Sequence, residues 1–153
     1  SLPGREQYIH CPLNRLIMNP ILRNILAVIV GIIGGALVNM AIIMISGAVI
    51  PPPDGVDTND LESIKANIHL YQPIHFIFPF LAHALGSLIG SLIAASLVTT
   101  RRMTFAVAMG FWFLIGGLAA AYLIPAPNWF IALDLLVAYV PMGWLGGKLA
   151  TRS

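Results

Sequence analysis

The sequence predicts an all-α membrane protein with four transmembrane helices, arranged as a tandem repeat of two helical hairpins, and a short amphipathic helix in the one long loop. Three observations carry that reading. Of the 153 residues, 58% are hydrophobic and 9% are charged, where soluble domains carry about 25% charge. The mean hydropathy is +0.87. The apolar residues also gather into four long runs instead of recurring at the spacing of a soluble core. A bilayer core about 30 Å thick needs about 20 apolar residues in a helix, and each run meets that length. The net charge of +2, from eight Lys and Arg against six Asp and Glu, is too small for a nucleic-acid footprint, so no nucleic-acid partner is expected. The single cysteine, Cys11, excludes an intrachain disulfide and any multi-cysteine metal site.

Taken in order, the chain opens with a polar tail, Ser1 to Asn24, whose Pro3, Pro12 and Pro20 disfavour one long helix. The transmembrane domain spans Ile25 to Ala150. Its first span runs from Ile25 to Ile50, too long for the apolar region of a signal peptide although Ser46 and Ala48 suit a small-residue cleavage pattern. Pro51-Pro52-Pro53 must end it. The loop from Pro51 to His75 contains Asn59 followed three residues later by Glu62, a capping-box spacing that predicts a short helix. Its apolar Leu61, Ile64 and Ile68 fall on one stripe, which reads as a lid over the bundle, with a substrate gate as the alternative. The second span runs from about Phe76 to Thr99, and the third from Met103 to Ile124, where Pro125 and Pro127 break it. The fourth runs from Trp129 to Leu149 and contains Asp134.

Lys and Arg accumulate on the cytoplasmic side of membrane proteins. Arg5, Arg15, Arg23, Arg101, Arg102, Lys148 and Arg152 fall on one face of this topology and Lys65 alone on the other. Both termini are therefore expected in the cytoplasm, with Pro51 to His75 and Pro125 to Asn128 outside. Trp129 and Tyr122 then lie at the outer interface and Trp144 at the inner one, where amphipathic rings prefer to sit.

The halves of the chain resemble each other. Ala27-Val28-Ile29-Val30-Gly31 matches Ala106-Val107-Ala108-Met109-Gly110, and Ile50-Pro51-Pro52-Pro53 matches Ile124-Pro125-Ala126-Pro127. In the partner helices His83 aligns with Asp134. Helices in lipid associate by close contact through small residues, and every span offers such a face: Gly31 and Gly35, Gly86 and Gly90, Gly117, and Gly143 with Gly147. These faces outnumber those a simple bundle needs, which predicts a homo-oligomer or association with other membrane subunits.

Ionisable groups within the hydrocarbon are costly and usually face a partner or a cavity. Here they are His83 and Asp134. At about 1.5 Å per residue, they lie roughly 10 Å and 8 Å below the outer boundary, at matching depth, so they are expected within hydrogen-bond reach of each other. Asn39, Ser87 and Tyr139 are the polar neighbours. The set reads as a packing pin between two helices, or as a proton or cation relay. A lone intramembrane histidine cannot supply bis-histidine haem ligation within the chain, and no cofactor is expected. His69 and His75 beside Asp57, Asp60 and Glu62 match no compact zinc spacing. No G-x-S-x-G, Walker loop or H-E-x-x-H is present, so an enzyme is not expected.

Gly34-Gly35-Ala36-Leu37-Val38-Asn39-Met40, Ile50-Pro51-Pro52-Pro53-Asp54-Gly55, Phe76-Ile77-Phe78-Pro79-Phe80-Leu81-Ala82-His83-Ala84-Leu85-Gly86 and Gly143-Trp144-Leu145-Gly146-Gly147-Lys148 together resemble small four-helix bacterial inner-membrane proteins of uncharacterised function. The resemblance covers about Asn24 to Ala150. It implies a multi-pass protein of the inner membrane and implies no activity, cofactor or site. The expectation is therefore a non-catalytic structural or accessory subunit of a membrane assembly. The alternative is a small transporter or proton-coupled channel built on Asp134, His83 and Asn39.

Overall fold

A proline that breaks helices elsewhere starts the first one here. In the computed structural model, which describes residues 19–152, α1 (Pro20–Val49) begins ahead of the boundary expected at Ile25. The Asn19 side chain accepts the Ile21 N–H at 2.9 Å, and Pro20 occupies the first turn, where its missing N–H costs no bond. The charge at Arg23 ends the apolar run but not the helix, because Arg23 and Asn24 find partners at the end of a neighbouring helix. The tail before Asn19, with Cys11, lies outside the described residues.

After the prolines comes α2 (Leu61–Asn67), capped by a residue other than the one expected. The Asp57 carboxylate takes the Asn59 N–H at 2.9 Å and so holds Asn59 in its own turn. Asp60 becomes the cap, accepting the Glu62 N–H at 3.0 Å. Short 3-10 turns at Ile68–Leu70 and Pro73–Phe76 lead into α3 (Ile77–Leu97). A tight turn, with Arg101 in the left-handed region at φ 54°, then reverses the chain into α4 (Arg102–Leu123).

The fourth span is not one helix but two, α5 (Asn128–Val137) and α6 (Val140–Ala150). Pro141 has no N–H for the carbonyl of Val137, and its ring collides with that carbonyl in a continuous helix. The chain therefore breaks at Ala138 and Tyr139. Four helical segments, with α5 and α6 together as the last, are long and apolar enough to cross a membrane, and no strand forms among the described residues. The chain has the build of a multi-pass membrane protein.

The middle of the bundle is α3, whose buried residues are all small: Ala82, Ala84, Gly86, Ser87, Gly90, Ser91, Ala94 and Ala95. It packs against α1, α4 and α6, while α6 also packs on α4 and α1 scarcely meets α4. The chain has two ends in space. One, the terminal half, holds the start of α1, the turn at residues 98–101 and the end of α6; the other, the loop half, holds the long loop and the turn at residues 124–127.

Glycines set the helix contacts of the terminal half. A Cβ at Gly31 would lie 2.7 Å from the Gly90 carbonyl oxygen, and one at Gly90 would lie 2.7 Å from that of Gly31. Gly35 and Gly86 oppose each other in the same way, at 2.6 and 2.9 Å. On the other side of the bundle, a Cβ at Gly143 would lie 2.9 Å from the Ala106 carbonyl oxygen, and one at Gly147 would lie 2.6 Å from the Ala106 Cβ. Gly110 and Gly146, which sequence reasoning did not single out, do the same work: Gly110 against Tyr139 and Val140 of the last span, Gly146 against the α3 backbone at Leu88 and Leu92. The glycine faces that suggested spare contacts for other chains are thus used inside the bundle. Of the helical glycines, Gly47 and Gly116 have open space where a Cβ would go.

Side chains at the terminal end tie the helix ends together. Arg23 Nε–H donates to the Leu97 carbonyl at 2.9 Å, Asn24 accepts the Thr99 N–H at 3.1 Å, and Arg102 Nη1–H donates to the Ala150 carbonyl at 3.0 Å. Both arginines satisfy carbonyls that a helix C-terminus leaves open, with the charge favoured by the helix dipole.

Candidate functional site: a His–Asp–Tyr cluster at the floor of a cavity

The break in the fourth span creates the site. In an unbroken helix, residues five apart lie about 140° around the axis and cannot face each other. The turn at Ala138 and Tyr139 swings Tyr139 back, and its hydroxyl donates to Asp134 Oδ2 at 2.8 Å. From α3, His83 Nδ1 lies 2.9 Å from both Asp134 oxygens. A carboxylate only accepts, so with Asp134 ionised the proton sits on Nδ1, and Nε2 makes no hydrogen bond with the described residues. The Asp134 side chain is 6% exposed and that of His83 21%, so the carboxylate sits behind the imidazole.

Two residues shape the pocket around the phenol. The His83 and Tyr139 rings lie with centroids 5.6 Å apart at 31°. On α4, a Cβ at Gly117 would overlap the Tyr139 ring and hydroxyl. Gly117, read from sequence as a helix-packing residue, therefore makes room for the tyrosine that holds the carboxylate.

Above the cluster, towards the loops, opens a cavity of about 700 Å³. Its walls are mostly aliphatic and aromatic, from the loop-half ends of α1, α3 and α4, from α5 and from the long loop, with Ser46, Thr58, Asn59 and His75 among its polar residues. Ile64 of α2 and Ile68 of the turn after it line it, as do His83 and Asp134. A second cavity, of about 370 Å³, lies between α1, α3 and α4 and is lined by Asn39, His83, Ser87, Gly117 and Tyr139. His83 and Gly117 belong to both.

The other predicted polar residues take lesser places. Asn39 lines the smaller cavity beside Gly86 without a side-chain hydrogen bond among the described residues. Ser87 lines it too, and the Ser87 and Ser91 hydroxyls are buried without a partner among those residues. His75 Nδ1 accepts the Gln72 N–H at 2.9 Å, which caps the turn before α3. Burial raises the Tyr71 phenol above its ordinary range. Among the described residues, no three His, Cys, Asp or Glu side chains converge to hold a metal. Comparison with protein-family models, with curated proteins and with solved structures gives no match.

Proposed function

We propose that this chain is a small membrane transport protein in which His83 and Asp134 form a proton-linked binding site reached from the loop side. The observation that carries the reading is the position of the pair: the one hydrogen-bonded His–Asp couple among the described residues of the spans forms the floor of a cavity large enough for a small molecule, the usual size being about 300–1,000 Å³. A pin that served packing alone would have no need of a cavity above it. His83 takes up a proton at Nε2, and Asp134 stabilises the resulting imidazolium through Nδ1–H. Tyr139 holds the carboxylate in place throughout. The cavity opens towards the loops, while the glycine contacts close the terminal half, as one state of an alternating-access carrier requires.

On this reading, the cationic terminal half faces the cytoplasm of a bacterial cell, the cavity opens to the outside, and α2 lies with its apolar stripe across the mouth. The repeat has support in packing: the aligned Gly31 and Gly110 each abut a glycine of the second helix of their own hairpin, Gly90 and Gly143. Assembly with other subunits has a separate support in α1, which buries only Ala27, Gly31 and Gly35 and presents the rest of its surface to lipid or to another chain. Purified protein in liposomes loaded with a pH-sensitive dye tests the main reading. Under an imposed pH gradient, proton flux is expected from the native chain and is expected to vanish with Asp134→Asn or His83→Ala. Flux unchanged in both variants, or absent from the native chain, would leave a packing pin and favour the accessory-subunit reading.

A further inference from the structure

The larger cavity has a chemical character of its own. Among the described residues that line it, Asp134 is the one carboxylate and none is Lys or Arg. Among the described residues Asp134 Oδ1 engages only His83, which leaves acceptor capacity on that oxygen. Along one wall, aromatic rings run from the mouth inward: Tyr71 and Phe76 have centroids 6.1 Å apart, and Phe76 and Phe130 4.7 Å apart. Ring faces attract cations, and more strongly once these lose their water. An anionic ligand would meet a carboxylate with no Lys or Arg among the described residues to offset it. A bare metal ion would lack ligands, since no group of three converges among the described residues.

The cavity also has a side within the membrane. On the α1 side the lining includes Met40 and Met44, which are 59% and 75% exposed. Methionine side chains are flexible and polarisable and adapt to varied apolar shapes.

We infer that this cavity takes a lipophilic organic cation, a single positive centre carried on apolar or aromatic groups, with its charge towards Asp134 and its body against Tyr71, Phe76 and Phe130. The inference rests on the transport reading for turnover but not for binding. The titratable groups that line the cavity are His83 from α3, Asp134 from the broken span, and His75 and Tyr71 of the long loop, with Tyr139 bonded to Asp134 from the smaller cavity. Helices α1 and α4 contribute none. A cation beside Asp134 repels the second proton of His83, so one cation arriving as one proton leaves keeps the charge of the site constant.

Equilibrium binding of labelled tetraphenylphosphonium to the full chain in nanodiscs tests this, with empty nanodiscs subtracted and tetraphenylborate as an anion of the same shape. The expected result is saturable binding of the phosphonium, no saturable binding of the borate, and affinity that falls as the buffer is acidified, because a proton taken up at His83 competes with the cation. Asp134→Asn is expected to weaken binding about tenfold or more. Equal binding of both ions, no saturable phosphonium binding, or full affinity in Asp134→Asn would each overturn the inference. Should that variant fail to fold, the comparison of the two ions on the native chain decides alone. Proton flux without phosphonium binding would remove the cation and leave transport standing; binding without flux would do the reverse.

Discussion

In the terminal half of the bundle, helices meet backbone against backbone at Gly31, Gly90, Gly143 and Gly146, and arginines bind the helix ends together. In the loop half, the same helices diverge around about 700 Å³ of space, and the fourth span is broken. The same α1 and α3 serve both halves, so the difference lies in side-chain volume and in one proline. Where small residues recur every four positions, the helices close; where Met40, Met44, Phe78 and Phe130 stand, they cannot. Hydrophobic exclusion gives helices in lipid little reason to associate. The closed half must therefore hold the fold together while the open half keeps room for a ligand.

The contrast can be broken most severely at its closed end. Gly90→Leu or Gly143→Leu would drive a large side chain into a neighbouring backbone, with a loss beyond the roughly 1–3 kcal/mol typical of overpacking. The expected outcome is little folded protein by size exclusion in mild detergent. Gly116→Leu, facing open space, is expected to fold normally, and equal damage at Gly116 would refute the division into halves.

At the open end, the expected effects fall on the site more than on the fold. Tyr139→Phe removes one hydrogen bond to a charged group, about 1.5–3 kcal/mol, and keeps the ring. A lower thermal midpoint with reduced proton flux is expected. Pro141→Ala sharpens the same point, because healing the break carries Tyr139 away from Asp134. Flux is expected to fall as in Tyr139→Phe while stability holds or rises, since proline is poorly tolerated within a helix. If Pro141→Ala retained full flux, the break would not be what positions the tyrosine.

The smallest effects lie in the ties and turns. Arg102→Gln gives up a charged contact at the end of α6, and a loss of about 0.3–1 kcal/mol is expected in chemical unfolding. Arg101→Gly relieves a left-handed conformation that costs other residues roughly 1–2 kcal/mol, so a modest rise in thermal midpoint is expected from the same measurement.

Span number and approximate bounds were legible because hydropathy averages over some twenty residues and tolerates local error. The pairing of His83 with Asp134 was legible too, since costly groups at equal depth have few partners open to them. The break was not. Pro141 stands in plain view, but apolar sequence on both sides satisfies a length criterion whether the helix is whole or broken. Tyr139 could be named only as a neighbour, because its bond to Asp134 exists only after the break turns it. The cap at Asp60 was missed because Asp57 competes for Asn59, a contest between adjacent carboxylates that spacing alone does not resolve. Gly110 and Gly146 carried a signal, a small residue four positions from Ala106 in one case and a glycine beside Gly147 in the other. The cavities carried none, since empty space leaves no residue behind.

The length of α1 has a mechanical consequence. Its 30 residues extend about 45 Å, whereas the hydrocarbon layer is about 30 Å thick. The 21 and 22 residues of α3 and α4 nearly match that layer. Excess helix length is relieved by tilt or by local thickening of the lipid, and α1, fastened along one narrow stripe, is the span free to lean. Its lean sets its distance from α4 at the loop end. The thickness of the host bilayer thus acts as a load on this one helix and, through it, on the width of the cavity that its Met40 and Met44 line.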